Sequence, residues 1–90
     1  MAWFLYIVEC SDQSLYAGIT TDVPRRIQEH NESPKGAKYT KSRRPVTLRV
    51  AWEYLDRSQA SKAEIAFKKC RLEQKKRLIA NNTPPSIKKT

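Results

Sequence analysis

Two runs of β-forming residues, 3–10 and 14–20, flank the polar tripeptide Ser11-Asp12-Gln13, a pattern that predicts a β-hairpin. Helix signals follow at once. In TTDVPRRIQEHN, Thr21 or Asp22 can accept hydrogen bonds from the free amides of a helix start, and Pro24 falls in the first turn, where its missing N–H costs little. Val23, Arg26, Ile27 and His30 then recur at i, i+3, i+4 and i+7, so a helix reaching Asn31 gathers them on one stripe. Residues 33–45, SPKGAKYTKSRRP, carry prolines near both ends, a glycine and no apolar period, which predicts a surface loop. In VTLRVAWEYL, Val46, Leu48, Val50, Trp52 and Tyr54 alternate with Thr47, Arg49, Ala51 and Glu53, the period of a half-buried third strand.

From Ser58 to Pro84 there is neither glycine nor proline, and Ala60, Ala63, Phe67 and Cys70 recur at threes and fours. One long helix or two consecutive ones should therefore reach about Ala80. The order β-β-α-β-α(-α) makes a single α/β domain over residues 1–80, with three strands flanked by helices. The remaining polar stretch, 81–90, is expected to fray as a tail.

Charge sharpens this outline. Eighteen Lys and Arg against nine Asp and Glu give +9 on 90 residues, a field that draws polyanions by phosphate neutralisation and counterion release. Nucleic acid is the first partner to expect, with an anionic membrane surface behind it, and no obligate protein partner is evident. A solubilising surface is the plainer explanation of such a charge. No basic segment precedes the apolar start and no apolar run of 18 residues follows, so the expectation is a cytoplasmic protein without a membrane span. Cys10 and Cys70 are isolated thiols without ligand spacing, which disfavours zinc and a disulfide framework.

Two positions on the first helix's docking stripe, Arg26 and His30, are polar. Burying a guanidinium without an acceptor is costly, so either that edge reaches water or an anion lies across it. Tyr6 and Tyr16, one in each strand of the hairpin, pose a related question. They share a face only if the pairing register has an even sum, which requires an odd loop or a bulge. Taken singly, each of these residues also has an ordinary structural reading: tyrosines pack in strands, Gly18 can mark a bulge, and SKAE at 61–64 matches a capping box that would use up Glu64.

The joint spacing of Tyr6, Tyr16 with Gly18 in YAG, Arg26, His30 and a later helical Glu64 resembles the GIY-YIG nuclease superfamily. The segments that carry the resemblance are FLYIVECSDQSLYAGITTDVPRRIQEHN, GAKYTKSRRP and DRSQASKAEIAFKK, and they are most similar to the small stand-alone bacterial members. The resemblance implies a three-stranded antiparallel sheet flanked by helices and metal-dependent hydrolysis of a nucleic-acid phosphodiester, DNA more than RNA. It also implies one Mg2+ or Mn2+ ion held by Glu64, catalytic roles for Tyr6, Tyr16, Arg26, His30 and Glu64, and a structural role for Gly18.

In that scheme Tyr6 is the base, a phenol of ordinary pKa ~10 that needs cations or hydrogen bonds to serve. His30 orients it or accepts its proton. Tyr16 binds phosphate or holds water, and Arg26 offers a permanent charge and two donors to the developing oxyanions. Lys35, Lys38, Tyr39, Lys41, Arg43 and Arg44 form a basic cluster with one aromatic surface, suited to nucleic acid. The chain departs from the family at Ile19, where some members carry lysine, and at Lys76, where many carry asparagine. A non-catalytic nucleic-acid binding module on the same scaffold is thus the alternative, and a basic interaction protein for an acidic partner a third reading.

Overall fold

The computed structural model describes residues 1–87; residues 88–90 lie outside it. The elements are β1 (Trp3–Glu9), β2 (Leu15–Thr20), α1 (Val23–Glu32), the single turn α2 (Lys38–Lys41), β3 (Thr47–Tyr54), α3 (Arg57–Lys69) and α4 (Leu72–Ala80). They form the three-stranded antiparallel sheet with helices that the sequence leads one to expect, and its strands lie in the order β2-β1-β3.

The central strand explains the layering. FLYIV is apolar without interruption because both its faces are covered, and Leu5, Tyr6, Ile7 and Val8 are all buried. Leu5 and Ile7 join Ala17, Trp52, Ala63 and Phe67 in a core under α3 and α4. Tyr6 and Val8 join Cys10 and Val46 in a second core, completed by Val23 and Ile27 of α1 and by Tyr16.

The hairpin loop settles the parity question. Cys10 N–H donates to the Ser14 carbonyl (2.8 Å) and Gln13 N–H to the Cys10 carbonyl (2.9 Å), which closes a loop of three residues, Ser11 to Gln13. Gln13 turns the chain at φ 70°, the left-handed conformation such a loop demands. Tyr6 then pairs with Gly18 and Val8 with Tyr16, so Tyr6 and Tyr16 project from the same face.

Strand β3 departs from simple alternation. Ile7 pairs with Val50 but Val8 pairs with Leu48, so Arg49 is an extra residue in β3. Val50 and Tyr54 therefore pack under α3, whereas Val46 lies in the α1 core and Leu48 is exposed. The stripe expected to run unbroken from Val46 to Tyr54 is split between two faces by this bulge.

Two further segments differ from expectation in detail. The 33–45 loop contains the helical turn α2, and residues 81–87, expected to fray, follow the domain surface. Asn82, at φ 50°, donates its amide to the Ile79 carbonyl while Thr83 donates to Leu78, a left-handed helix stop. Asn82 Oδ1 also accepts from Trp52 Nε1 (3.0 Å), Pro85 is buried and Ile87 packs against the α3 core. Among the described residues no helix is long and apolar enough to cross a membrane.

Candidate active site

Helix α1 begins where Asp22 Oδ1 accepts from Arg25 N–H (3.1 Å), with Pro24 in the first turn. That start fixes the helix phase so that Val23 and Ile27 enter the core and His30, one turn on, is fully buried over the sheet. There His30 Nε2 meets the Tyr6 hydroxyl at 2.6 Å. Its Nδ1 meets the Thr40 hydroxyl at 2.8 Å, and Thr40 Oγ1 in turn donates to the Ala37 carbonyl (2.9 Å). Tyr16 presents its ring edge-on to His30, with centroids 5.4 Å apart.

Gly18 is the space this geometry needs. A Cβ at position 18 would stand 2.7 Å from Tyr6 Cζ and closer still to the hydroxyl, so only glycine lets the phenol lie across β2. A second close approach is Gly36, where a Cβ would fall 2.7 Å from the Glu29 carbonyl and 3.0 Å from His30 Cα. The α2 turn is thereby pressed onto the end of α1. Asn31 reinforces the clamp by exchanging two hydrogen bonds with the Val46 backbone (3.1 and 2.7 Å).

Arg26 holds its guanidinium at the rim. Nη1 donates to Glu29 Oε1 (3.0 Å) and to the Lys35 carbonyl (2.9 Å). The group also lies beside the Tyr6 hydroxyl without a hydrogen bond of good geometry, and its charge favours the phenolate. Burial outweighs that help and, with Tyr16 and Glu64 adding to it, pushes the Tyr6 pKa up to about 12. Burial, with Arg26 and Arg44 assisting against Glu29, lowers His30 to about 4. Burial opposes the charge on Arg26 as well, but hydrogen bonds and charge from Glu29 and Tyr6 prevail and raise its pKa. The resting site is thus a neutral phenol against a neutral imidazole, beside a fixed cation.

Glu64 is the one member from the opposite layer. Helix α3 starts at Arg57, where Asp56 caps the Gln59 amide (2.9 Å), so Glu64 lies two turns inside and cannot close a capping box. Its carboxylate is partly exposed, with Oε2 3.4 Å from Lys68 Nζ, and its charge reaches the Tyr6 phenol. Among the described residues no three His, Cys, Asp or Glu side chains gather around one point. A Mg2+ or Mn2+ ion fits here only as a hard cation on one carboxylate that keeps waters and takes substrate oxygens, a donor set that Mg2+ accepts.

The basic cluster divides. Lys35, Lys38 and Lys41 are exposed and make no ion pair among the described residues. Tyr39 stacks on Tyr16, with centroids 5.8 Å apart, and carries the Arg43 guanidinium 3.9 Å from its ring centre. Arg43 is pinned in turn by Asp12 Oδ2 (3.0 Å) at the hairpin tip. Arg44 faces inward, donating Nε to the His30 carbonyl (2.5 Å) and Nη2 to that of Ser33 (2.6 Å), and so satisfies the C-terminal end of α1. Ile19 packs in the α3 core and Lys76 lies on α4 beside Glu9 and Arg49. Sequence reasoning missed Thr40 and Gly36, which nothing sets apart within a polar loop, and Asn31, which reads as one more polar residue near the end of a helix.

The three-stranded antiparallel sheet flanked by helices, with Tyr6, Tyr16 and His30 gathered on one face, is that of a nuclease-family domain. The family model described as the GIY-YIG catalytic domain matches residues 2–77, and the chain belongs to that family. Its relatives are UPF0213 proteins, small stand-alone members. One from Desulfotalea psychrophila is 55% identical over 78 residues, covering 87% of this chain and 71% of the relative. The UPF0213 protein YhbQ of Shigella dysenteriae is 46% identical over 81 residues, covering 90% and 80%. Among solved structures, the UPF0213 protein BH0048 from Bacillus halodurans superposes with a TM-score of 0.60 at 40% identity, covering 92% of this chain and 87% of that one. Protein EF2693 from E. faecalis gives 0.62 at 35% identity, covering 100% and 96%.

Proposed function

We propose that this protein is a metal-dependent endonuclease that hydrolyses nucleic-acid phosphodiester bonds, DNA in preference to RNA. The observation that carries the reading is the buried hydrogen bond of 2.6 Å between Tyr6 and His30, set beside the Arg26 guanidinium. A phenol so placed can take a proton from an attacking water as its own proton passes to His30 Nε2, which leaves no net charge on Tyr6. Among the described residues Arg26 donates from Nη1 to Glu29 and to the Lys35 carbonyl, and the rest of its guanidinium, beside Tyr6, would bind the non-bridging oxygens as charge gathers there. Tyr16, on the same face, orients the phosphate or the water.

Glu64 would hold the divalent ion, which when bound neutralises charge on the leaving oxygen. Lys35, Lys38 and Lys41 would neutralise flanking phosphates. So small a domain has little surface with which to read a long sequence, which favours substrates chosen by structure, such as branches or flaps, and a role in repair or recombination in the cytoplasm.

One observation favours the alternative, a binding module without turnover: Tyr6 is only 1% exposed. Cleavage assays with labelled duplex, single-stranded and branched substrates in Mg2+ or Mn2+, beside Arg26→Ala and Glu64→Ala, separate the two readings. Turnover by the wild type that both variants lose supports the nuclease. Binding with a steep salt dependence, but cleavage no faster than the variants' background, sinks it.

A further inference from the structure

We propose that Thr40 is a positioning residue that fixes the tautomer of His30. The inference rests on the reading of Tyr6 and His30 as a proton-transfer pair. The Thr40 hydroxyl has one hydrogen, and the Ala37 carbonyl 2.9 Å from Oγ1 can only accept it. With that hydrogen given to Ala37, the 2.8 Å contact to His30 is a bond in which Nδ1–H donates and Oγ1 accepts. The Ala37 amide also faces Nδ1, but at 3.4 Å, beyond the usual range for an N–H donor. With its hydrogen on Nδ1, neutral His30 turns the Nε2 lone pair toward Tyr6 Oη, and the phenol donates. The opposite tautomer would place an N–H against Tyr6 and remove the acceptor.

The surroundings hold this arrangement in place. Thr40 and His30 are both fully buried, so water cannot substitute for either partner. Gly36 and Arg44 clamp the 33–45 segment to the end of α1, which sets Thr40 over the imidazole. The ionisable groups facing His30 are Tyr6 from β1, Tyr16 from β2, Arg26 and Glu29 from α1, and Arg44 from the segment before β3. Among the described residues none of these side chains is hydrogen-bonded to Nδ1, which meets the Thr40 hydroxyl. The imidazolium formed when Nε2 takes the phenol proton keeps the same Nδ1–H bond, so Thr40 serves both states without rearranging.

The chain contains a single histidine, which makes the tautomer directly observable. In 15N-labelled protein at neutral pH, long-range 1H–15N spectra are expected to show a protonated Nδ1 and an unprotonated Nε2. In Thr40→Val, which keeps the shape and removes the acceptor, the population should move toward Nε2–H. Thr40→Ser should restore the wild-type pattern. Cleavage kinetics should follow, with kcat down by roughly 100-fold in Thr40→Val, the scale of one general acid–base contribution, KM little changed and Ser rescuing. Backbone amide spectra confirm that each variant is folded. A wild-type His30 already protonated on Nε2, or a folded Thr40→Val with unchanged 15N shifts, overturns the proposal. If no protein cleaves any substrate, the nuclease reading fails while the 15N result still decides the role of Thr40.

Discussion

Lowering the pH from 7 to 4.5 should destabilise this protein chiefly through one side chain. His30 is fully buried and its pKa is depressed from the ordinary 6.5 to about 4. A depressed folded-state value means that the unfolded chain binds the proton first. The stability due to neutral His30 is therefore complete above pH 6.5 and is lost as the pH falls toward 4. At pH 4.5 an unfolded imidazole is almost wholly charged, whereas the folded one is about a quarter charged, and the linkage relation makes the loss about 2 kcal/mol. For a domain of this size that is a fall in melting temperature of roughly 10 °C.

The assay is urea unfolding at pH 7, 5.5 and 4.5, run beside His30→Gln, which cannot titrate. Carboxylates contribute in both proteins, so the difference between the two profiles isolates the imidazole. The wild-type profile should fall about 2 kcal/mol further than the variant's across this range. The single histidine gives a second route if the variant folds poorly, because its ring 1H and 15N shifts should not begin to titrate above pH 5. Parallel profiles, or a His30 midpoint at or above pH 6, would show that burial of His30 does not cause the acid loss of stability.

Other substitutions probe separate parts of the site. Gly18→Ala drives a methyl into the Tyr6 ring and should cost about 1–3 kcal/mol in urea unfolding, with loss of any cleavage as the phenol leaves His30. Gln13→Gly relieves a left-handed φ and should raise stability by about 0.5–1 kcal/mol; a lower melting temperature would show that the side chain matters more than the backbone. Neutralising Lys35, Lys38 and Lys41 together should flatten the slope of log K against log salt for nucleic acid by up to about 3. Arg44→Ala should leave that slope nearly unchanged but lower stability by about 1–3 kcal/mol, since its guanidinium serves the carbonyls of α1.

The contrast between Arg44 and the lysines shows where the sequence stops being informative. In SPKGAKYTKSRRP all five basic residues look alike, and only the fold shows that three reach solvent, one is pinned by Asp12 and one caps a helix. FLYIV was legible because a strand apolar at every position has two faces to bury. The stripe of Val23, Ile27 and His30 was legible because helical phase is set locally by Asp22 and Pro24. The bulge at Arg49 was not, since nothing in VTLRVAWEYL marks where alternation skips a residue. The hairpin gave the right break but not its geometry: a three-residue loop closed by a left-handed residue ordinarily advertises itself with Gly or Asn, and here the position is Gln13. For Glu64, two local readings of one tetrapeptide competed, and the earlier start of α3 at Arg57 removed the capping box.

The two perturbed groups also constrain how the site can act. Burial raises the Tyr6 pKa and lowers that of His30, so both shifts oppose the direct transfer of a proton from the phenol to the imidazole. A stepwise base is therefore a poor fit. In a concerted transfer Tyr6 never becomes an anion, and its raised pKa ceases to oppose the reaction, because the proton it loses to His30 is replaced by one from water. The imidazolium cost remains, and Arg26 is one of its causes. Negative charge that builds on a phosphate bound to Arg26 would offset that cation and raise His30 at the moment the proton arrives. On the proposed nuclease reading, burial that disfavours proton transfer at rest would make activity conditional on an anionic substrate, with Arg26 coupling the bound phosphate to His30.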